Sequence, residues 1–471
     1  MDLKMLIGGT LRQGSGLHEV RSPWSGEVVS RVPVAGHPEV EEAAESARVA
    51  FQHTRRAPAW QRAEWLLRLR SLLEAHREEM ARQITMESAK PITDARTEVG
   101  RALHVLQLAA EEARRLPGDT VPLDLAPGSE GRFGIVRQFP AGPVLAITPF
   151  NFPLNLGMHK VAPALACGAS VLWKPSGQAP GAAHLLGGLA VEAGLPAGAL
   201  NVILPPDPLA ESLAKDPRVR MVSFTGSARV GWHLRAVAGA KRVALELGGN
   251  AAVIVAADAE LDHAVRRCVA GGFAYSGQVC ISVQRILVER PRYEEFAARL
   301  VEGVRALRAG DPLDERTQVV PLISDREAQR LEEWIREAVE GGATVLAGGE
   351  RRGRFVEPTV LADVRPDMRV SCEEAFGPLV ALAPFDDWDD ALGEVNRSRY
   401  GLQAGVFTRD LGRVLRAHEA LEVGAVIVND APSYRMDSMP YGGVKESGLG
   451  REGVRFAIKE MTEPRLLVLT A

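Results

Sequence analysis

The chain has 471 residues, of which 46% are apolar and 25% charged, and its formal net charge is −4. That length exceeds what one hydrophobic core fills, so two or three domains are expected, and the composition excludes a disordered or fibrous chain. The near-neutral balance has no basic footprint for DNA or RNA, which leaves small molecules as the expected partners.

The opening MDLKMLIGG is charged early and lacks an apolar run of signal-peptide length, so a cytoplasmic location is expected. From Pro38 to Leu116 three stretches, EVEEAAESARVAF, AEWLLRLRSLLEAHREEMARQI and DARTEVGRALHVLQLAAEEARRL, space their apolar residues as helices do. A Pro/Gly-rich passage, LPGDTVPLDLAPGSEGRFGIVRQFPAGP, then breaks the pattern and reads as an excursion from the main body. Gln138 to Met158 has no charged residue over a span long enough to cross a bilayer, but Pro140, Pro143, Pro149 and Pro153 argue against a transmembrane helix there. No membrane contact is expected.

An alternation follows. The strands VLAIT, ASVLWKP, ALNVIL, VRMVSF and KRVALEL are separated by the helices PLNLGMHKVAPALACG, GAAHLLGGLAVEAG, ESLAKD and SARVGWHLRAVAG. Short apolar strands alternating with helices predict a parallel, doubly wound sheet, which binds ligands outside the carboxyl ends of its strands. TPFN, KPSG, FTGS and LELGGN fall at those ends. A second α/β region starts near Asn250, with AAVIVAA, a helix ELDHAVRRCVAGGFAYSG, a strand QRILVER and a helix PRYEEFAARLVEGVRAL. The tail EPRLLVLTA can add a strand to a neighbour's sheet.

Four scattered cysteines, Cys167, Cys268, Cys280 and Cys372, form neither a disulfide framework nor a cluster of metal-site spacing, so no metal is expected. In GQVCISVQR, Cys280 reads either as a nucleophile or as a small apolar side chain. SFTGSARVG follows a strand and opens a helix, so Gly226 and Ser227 suit either a phosphate or an ordinary N-cap. Lys174 can meet a ribose or phosphate or simply be solvated. Glu246, before paired glycines, is a general base or a surface carboxylate. Asn151, held between Phe150 and Phe152, is an oxyanion donor or a turn residue. Taken together they describe one reaction: thiolate attack on a carbonyl, an amide holding the oxyanion, a dinucleotide taking hydride, and a carboxylate activating water on the thioester.

Along nearly its whole length the chain resembles the aldehyde dehydrogenase superfamily, through ESAKP at Glu87, TPFNFP at Asn151, WKPS at Lys174, FTGS at Gly226, LELGGN at Glu246, GQVC at Cys280, EEAFGP at Glu374 and PYGGVKESGLGREG from Pro440. The resemblance implies that Cys280 is the nucleophile, that Asn151 and the Cys280 backbone NH hold the oxyanion, and that Glu246 drives deacylation, with Lys160 and Glu452 relaying a proton. It implies a cofactor, NAD or NADP, held by Thr148, Pro149, Phe150, Lys174, Ser176, Gly177, Phe224, Gly226, Ser227, Glu374 and Phe376. The fold implied is α/β: a Rossmann-type doubly wound cofactor domain over 1–121 and 141–248, a second α/β catalytic domain over 249–443, and a small oligomerisation arm with the C-terminal tail, 122–140 and 444–471, giving a homodimer or homotetramer.

Within the superfamily TPFNFPLNLGMHK, GQVCISVQR and RMDSMPYGGVKESGLGREG look most like the branch acting on lactaldehyde, glyceraldehyde 3-phosphate or phosphono- and sulfo-aldehydes, which implies a small polar or anionic aldehyde as substrate. His159 stands where enzymes for long-chain or aromatic aldehydes often carry a large aromatic residue, and Arg101 and Arg435 are candidates to meet an anionic group. Two positions depart from the family. Pro205 and Pro206 replace common glycines, and Gly177 stands where NAD-preferring members commonly have glutamate, which predicts that NADP is accepted. The rivals are a CoA-acylating semialdehyde dehydrogenase, which would not need Glu246, and a non-catalytic relative, which would not need Cys280, Asn151 and Glu246 together.

Overall fold

The computed structural model describes residues 1–470. The five apolar runs between 144 and 246 pair in parallel, in the order Leu200–Val202, Val171–Lys174, Val144–Ile147, Met221–Thr225, Arg242–Glu246. The chain therefore winds outward on one side of Val144–Ile147 and then begins again on its other side. A doubly wound sheet opens a crevice at its carboxyl edge where the winding reverses. Residues 1–36, where no element was expected, supply two antiparallel edge strands, Met5–Ile7 and Thr10–Arg12, and a hairpin pairing Gly16–Arg21 with Val28–Val34. Gly448–Leu449 borders the opposite edge.

The stretch expected to be helical holds His37–Thr54, Ala59–Ala75, Arg77–Ser88 and Ile92–Ala113. Their apolar stripes, including Leu66, Leu69, Leu73 and Leu106, pack with Met158, Leu165 and Trp173 into one core, where each buried leucine contributes about 1.5–3 kcal/mol. The helix Asn155–Cys167 sits directly on the sheet: a Cβ at Gly157 would come within 2.1 Å of the Trp173 ring.

The second sheet runs Thr344–Ala347, Thr359–Ala362, Leu379–Phe385, Val283–Glu289, Ala251–Val255, Gln403–Phe407, Ala425–Val428, and is parallel apart from its first pair. The helix expected through Gly277 stops at Phe273. Tyr275 (φ 48°) and Ser276 (φ 53°) then turn left-handed, a conformation costly for residues with a Cβ.

A third sheet joins Gly118–Pro122, Arg132–Pro140 and the tail Thr462–Thr470. One edge of the tail thus pairs with its own chain. Its other edge is unpaired among the described residues, and Leu466 to Leu469 on it are exposed. Among the described residues no helix is long and apolar enough to cross a membrane.

Candidate active site

The first sheet ends in TPFN, WKPS and FTGS, while GQVC and EEAFGP lie just ahead of strands of the second. All of these loops line one cavity of about 740 Å³. Cys280, Asn151 and Glu246 lie on its wall together.

Asn151 is 3% exposed, and its Nδ2 donates to the Gln278 carbonyl at 3.0 Å while its Oδ1 accepts from the Phe152 NH. One amide hydrogen fixes the direction and the other stays available. The Cys280 loop is tied down to match: Tyr275 OH donates to Ser88 O, Ser276 Oγ to Val320 O, and Gln278 Oε1 accepts from Ile323 NH. These bonds offset the strain of the left-handed turn. Burial pushes the Cys280 thiol up to about 11, against the opposing effects of Tyr441 and Arg435. Glu246 is buried, and one of its oxygens, Oε2, has no hydrogen-bond partner. Desolvation, and next the charge of Glu452, hold its carboxyl well above the ordinary range.

Along the same cavity Phe150 meets Phe376 edge to face, with ring centroids 6.0 Å apart. Glu374 accepts from the Gly249 NH at 3.1 Å, and its burial raises the carboxyl to about 7. Ser227 begins the helix Ala228–Val237 without a side-chain capping bond, so the NH groups of the first turn point outward unshared. A Cβ at Gly226 would lie 2.5 Å from the Phe224 ring, which leaves that place to backbone alone. Lys174 approaches Asp207 at 3.4 Å, and Thr148 accepts from the Trp173 indole. Beyond Lys174, Ser176 and Gln178 the groove continues into a cavity of about 650 Å³ lined by His18, Arg21, Gly177, Pro205 and Pro206. His18 Nε2 lies 2.8 Å from the Gly177 carbonyl oxygen.

Behind the wall are the remaining candidates, none of which lines the 740 Å³ cavity. Lys160 pairs with Glu452 at 2.6 Å and Arg435 with the same carboxylate at 3.0 Å, all three buried. Burial alone would raise Glu452, but the two cations hold it well below the usual range. His159 and Arg101 both bind Asp437, at 2.9 and 2.6 Å. Desolvation, helped by Arg435, keeps His159 below its ordinary pKa.

Residues 11–467 match the aldehyde dehydrogenase family model. The chain is 46% identical over 452 residues to a 3-sulfolactaldehyde dehydrogenase of Priestia megaterium, covering 96% of this chain and 94% of the relative. It superposes on aldehyde dehydrogenase 21 of Physcomitrella patens, solved with succinate, with a TM-score of 0.98 at 40% identity, covering 100% of this chain and 98% of that one. It also superposes on the NADP-dependent glyceraldehyde-3-phosphate dehydrogenase of Bacillus halodurans, solved with NADP, with a TM-score of 0.97 at 34% identity, covering 100% and 99%.

The chain belongs to the aldehyde dehydrogenase family.

It is therefore an oxidoreductase of aldehydes that uses NAD or NADP, and this aldehyde dehydrogenase has a groove that fits such a cofactor. The unshared NH groups after Ser227 and the bare backbone at Gly226 suit a pyrophosphate, and Thr225, whose buried Oγ1 has no partner, lines the same cavity. Sequence reasoning missed Tyr441, whose hydroxyl lies 3.0 Å from Cys280 Sγ, and gave no role to the lysine of ESAKP, Lys90, or to Glu98 on the helix that follows it. Lys90 and Glu98, both fully buried, pair at 2.5 Å. Glu98 caps Leu154 NH and Asn155 NH, and Lys90 lies 3.6 Å from the centre of the Phe152 ring. The aromatic at PYGG was visible in the sequence. Its contact with a sulfur 161 residues away was not.

Proposed function

We propose that this enzyme oxidises a small polar or anionic aldehyde to the free acid, with Cys280 as nucleophile and Glu246 as base. The observation that carries the reading is the buried carboxyl of Glu246, its Oε2 without a hydrogen-bond partner, on the wall that also bears Cys280 and Asn151. A group so placed lacks a structural partner and has a water-activating task available. The Cys280 thiol passes its proton to Glu246, and Sγ adds to the carbonyl carbon. Asn151 Nδ2 and the Cys280 NH hold the resulting oxyanion. Bound along Pro149, Phe150, Lys174, Phe224, Gly226, Ser227, Glu374 and Phe376, NAD or NADP supplies the hydride acceptor. Glu246, once it has released the thiol proton to solvent, takes a proton from water, whose oxygen attacks the thioester carbon; as the C–S bond breaks the carboxylic acid leaves and Glu246 returns the proton to the Cys280 sulfur.

The named relatives and neighbours handle sulfolactaldehyde and glyceraldehyde 3-phosphate, and one binds succinate, which supports an anionic substrate here. Arg101, a quarter exposed and paired with Asp437 behind the wall, is the candidate cation for such a group. The division into a cofactor domain, 1–121 with 141–248, and a catalytic domain, 249–443, is supported by the separation of the two large sheets, whose strands fall in those ranges apart from Gly448–Leu449. The free edge of Thr462–Thr470, with its exposed leucines, suits a second copy of the chain in a dimer or tetramer.

Rapid mixing of the Glu246→Gln variant with small anionic aldehydes tests the reading. The expected result is a burst of reduced cofactor that rises more slowly than in wild type but still reaches near one equivalent, followed by much slower turnover. Steady-state rates equal to wild type would overturn it. Undiminished acyl transfer to added CoA by the wild type would favour the acylating rival.

A further inference from the structure

Tyr441 is 2% exposed and its hydroxyl lies 3.0 Å from Cys280 Sγ. The Arg435 guanidinium lies 3.6 Å from the centre of the Tyr441 ring. Arg435 is itself buried and anchored on Glu452 at 3.0 Å, with its Nε unpartnered. Backbone bonds between Tyr441 and Glu452 in both directions lock the ring against this pair. A cation on the face of a phenol withdraws charge from the ring and makes its hydroxyl a stronger donor.

We propose that the Tyr441 hydroxyl is a catalytic group of this enzyme, donating a hydrogen bond to the Cys280 thiolate, with Arg435 on its ring strengthening that donor. The inference rests on Cys280 being the nucleophile. It extends that reading, because a hydrophobic wall residue needs only the ring whereas this role needs the hydroxyl. The groups acting on the sulfur are Tyr441 and Arg435, which favour the anion, and Glu374 and Glu246, which oppose it when charged. Burial works against the thiolate too, so a donor is what the site otherwise lacks. The thiol proton leaves for Glu246, and the phenol keeps its own.

The experiment follows the pH dependence of Cys280 alkylation by iodoacetamide, read on the Cys280 peptide by mass spectrometry, in wild type and Tyr441→Phe. Each unit of upward shift in thiol pKa cuts the thiolate fraction tenfold, while the thiolate left behind becomes about threefold more nucleophilic. The variant should therefore alkylate about threefold or more slowly near neutral pH and about threefold faster on its high-pH plateau. First-turnover rates should fall in parallel at neutral pH, with unchanged KM for the cofactor. Superimposable alkylation profiles would overturn the proposal, as would a uniform loss of rate at every pH, the mark of a packing defect. A Cys280→Ser control separates the two readings. If serine supports turnover, the nucleophile assignment fails. If serine is inactive and the profiles coincide, only the role of Tyr441 fails.

Discussion

The first sheet brings the carboxyl ends of its strands to the cavity, and the second brings its amino ends. At the carboxyl edge, loops run from strand to helix and expose helix NH groups and glycine backbone, which suit a phosphate-bearing ligand. At the amino edge the loops run into strands. The segment ahead of Val283–Glu289 has no helix to open, and it is bent by the left-handed Tyr275 and Ser276 so that Cys280 points into the groove. One edge thus holds a ligand and the other attacks it. The difference shows why a nucleophile loop is costly to build: it needs hydrogen bonds to Ser88, Val320 and Ile323 that a strand-to-helix turn does without.

The comparison breaks most sharply at Cys280. Cys280→Ser should abolish aldehyde oxidation while cofactor affinity, followed by fluorescence titration, stays at the wild-type value. Turnover near the wild-type rate, or loss of cofactor binding, would mean that the two edges do not divide the work.

Next in size is the pair that fixes the edges to each other. Lys90 touches Phe152 of the Asn151 loop and lies 5.0 Å from the centre of the Tyr275 ring in the cysteine loop. Glu98→Ala would leave the Lys90 charge buried without a partner and uncap the helix Asn155–Cys167, at a cost of about 3–5 kcal/mol. Thermal or urea denaturation should show that loss, and a Lys90→Met/Glu98→Leu double variant should regain most of it. Stability unchanged in Glu98→Ala would remove the pair from this role.

At the carboxyl edge alone, Gly177→Glu should leave chemistry intact and shift preference from NADP towards NAD by about 1–3 kcal/mol, the scale of one charged hydrogen bond. A Cβ at Gly177 would sit 3.5 Å from the His18 ring, ordinary contact, so the backbone accepts the side chain while His18 must share its place. The ratio of kcat/KM for the two cofactors measures this. Strict NAD use by the unaltered enzyme would defeat the argument.

The first sheet was legible because its apolar runs and glycine or proline breaks are local, and the rule for carboxyl ends located Asn151, Lys174, Gly226 and Glu246 at once. The same rule misplaces the second edge, since Cys280 precedes its strand. Tyr275 and Ser276 carry no local signal for a left-handed turn, which sequence patterns associate with glycine and asparagine. Lys90 and Glu98 drew no role, and the pairing of Arg435 with Glu452 was not legible, because what buries these charges comes from elsewhere in the chain.

The smallest effect expected is a displaced pH profile, and it tests how the region behind the wall governs Glu246. A carboxyl held above its ordinary pKa is a base only at pH values above that raised point. Deacylation by Glu246 should therefore gain rate with pH across a limb that lies above the usual carboxylate range. Part of the elevation comes from the neighbouring negative charge of Glu452, after burial itself. Glu452→Gln deletes that charge and leaves Lys160 and Arg435 unneutralised, and both changes favour the anionic form of Glu246. The acid limb of kcat should consequently move to lower pH in Glu452→Gln, while the pH dependence of the pre-steady-state burst, to which the Cys280 thiol also contributes, moves less. An acid limb that stays in place, or moves to higher pH, would show that Glu452 does not act on Glu246 through its charge.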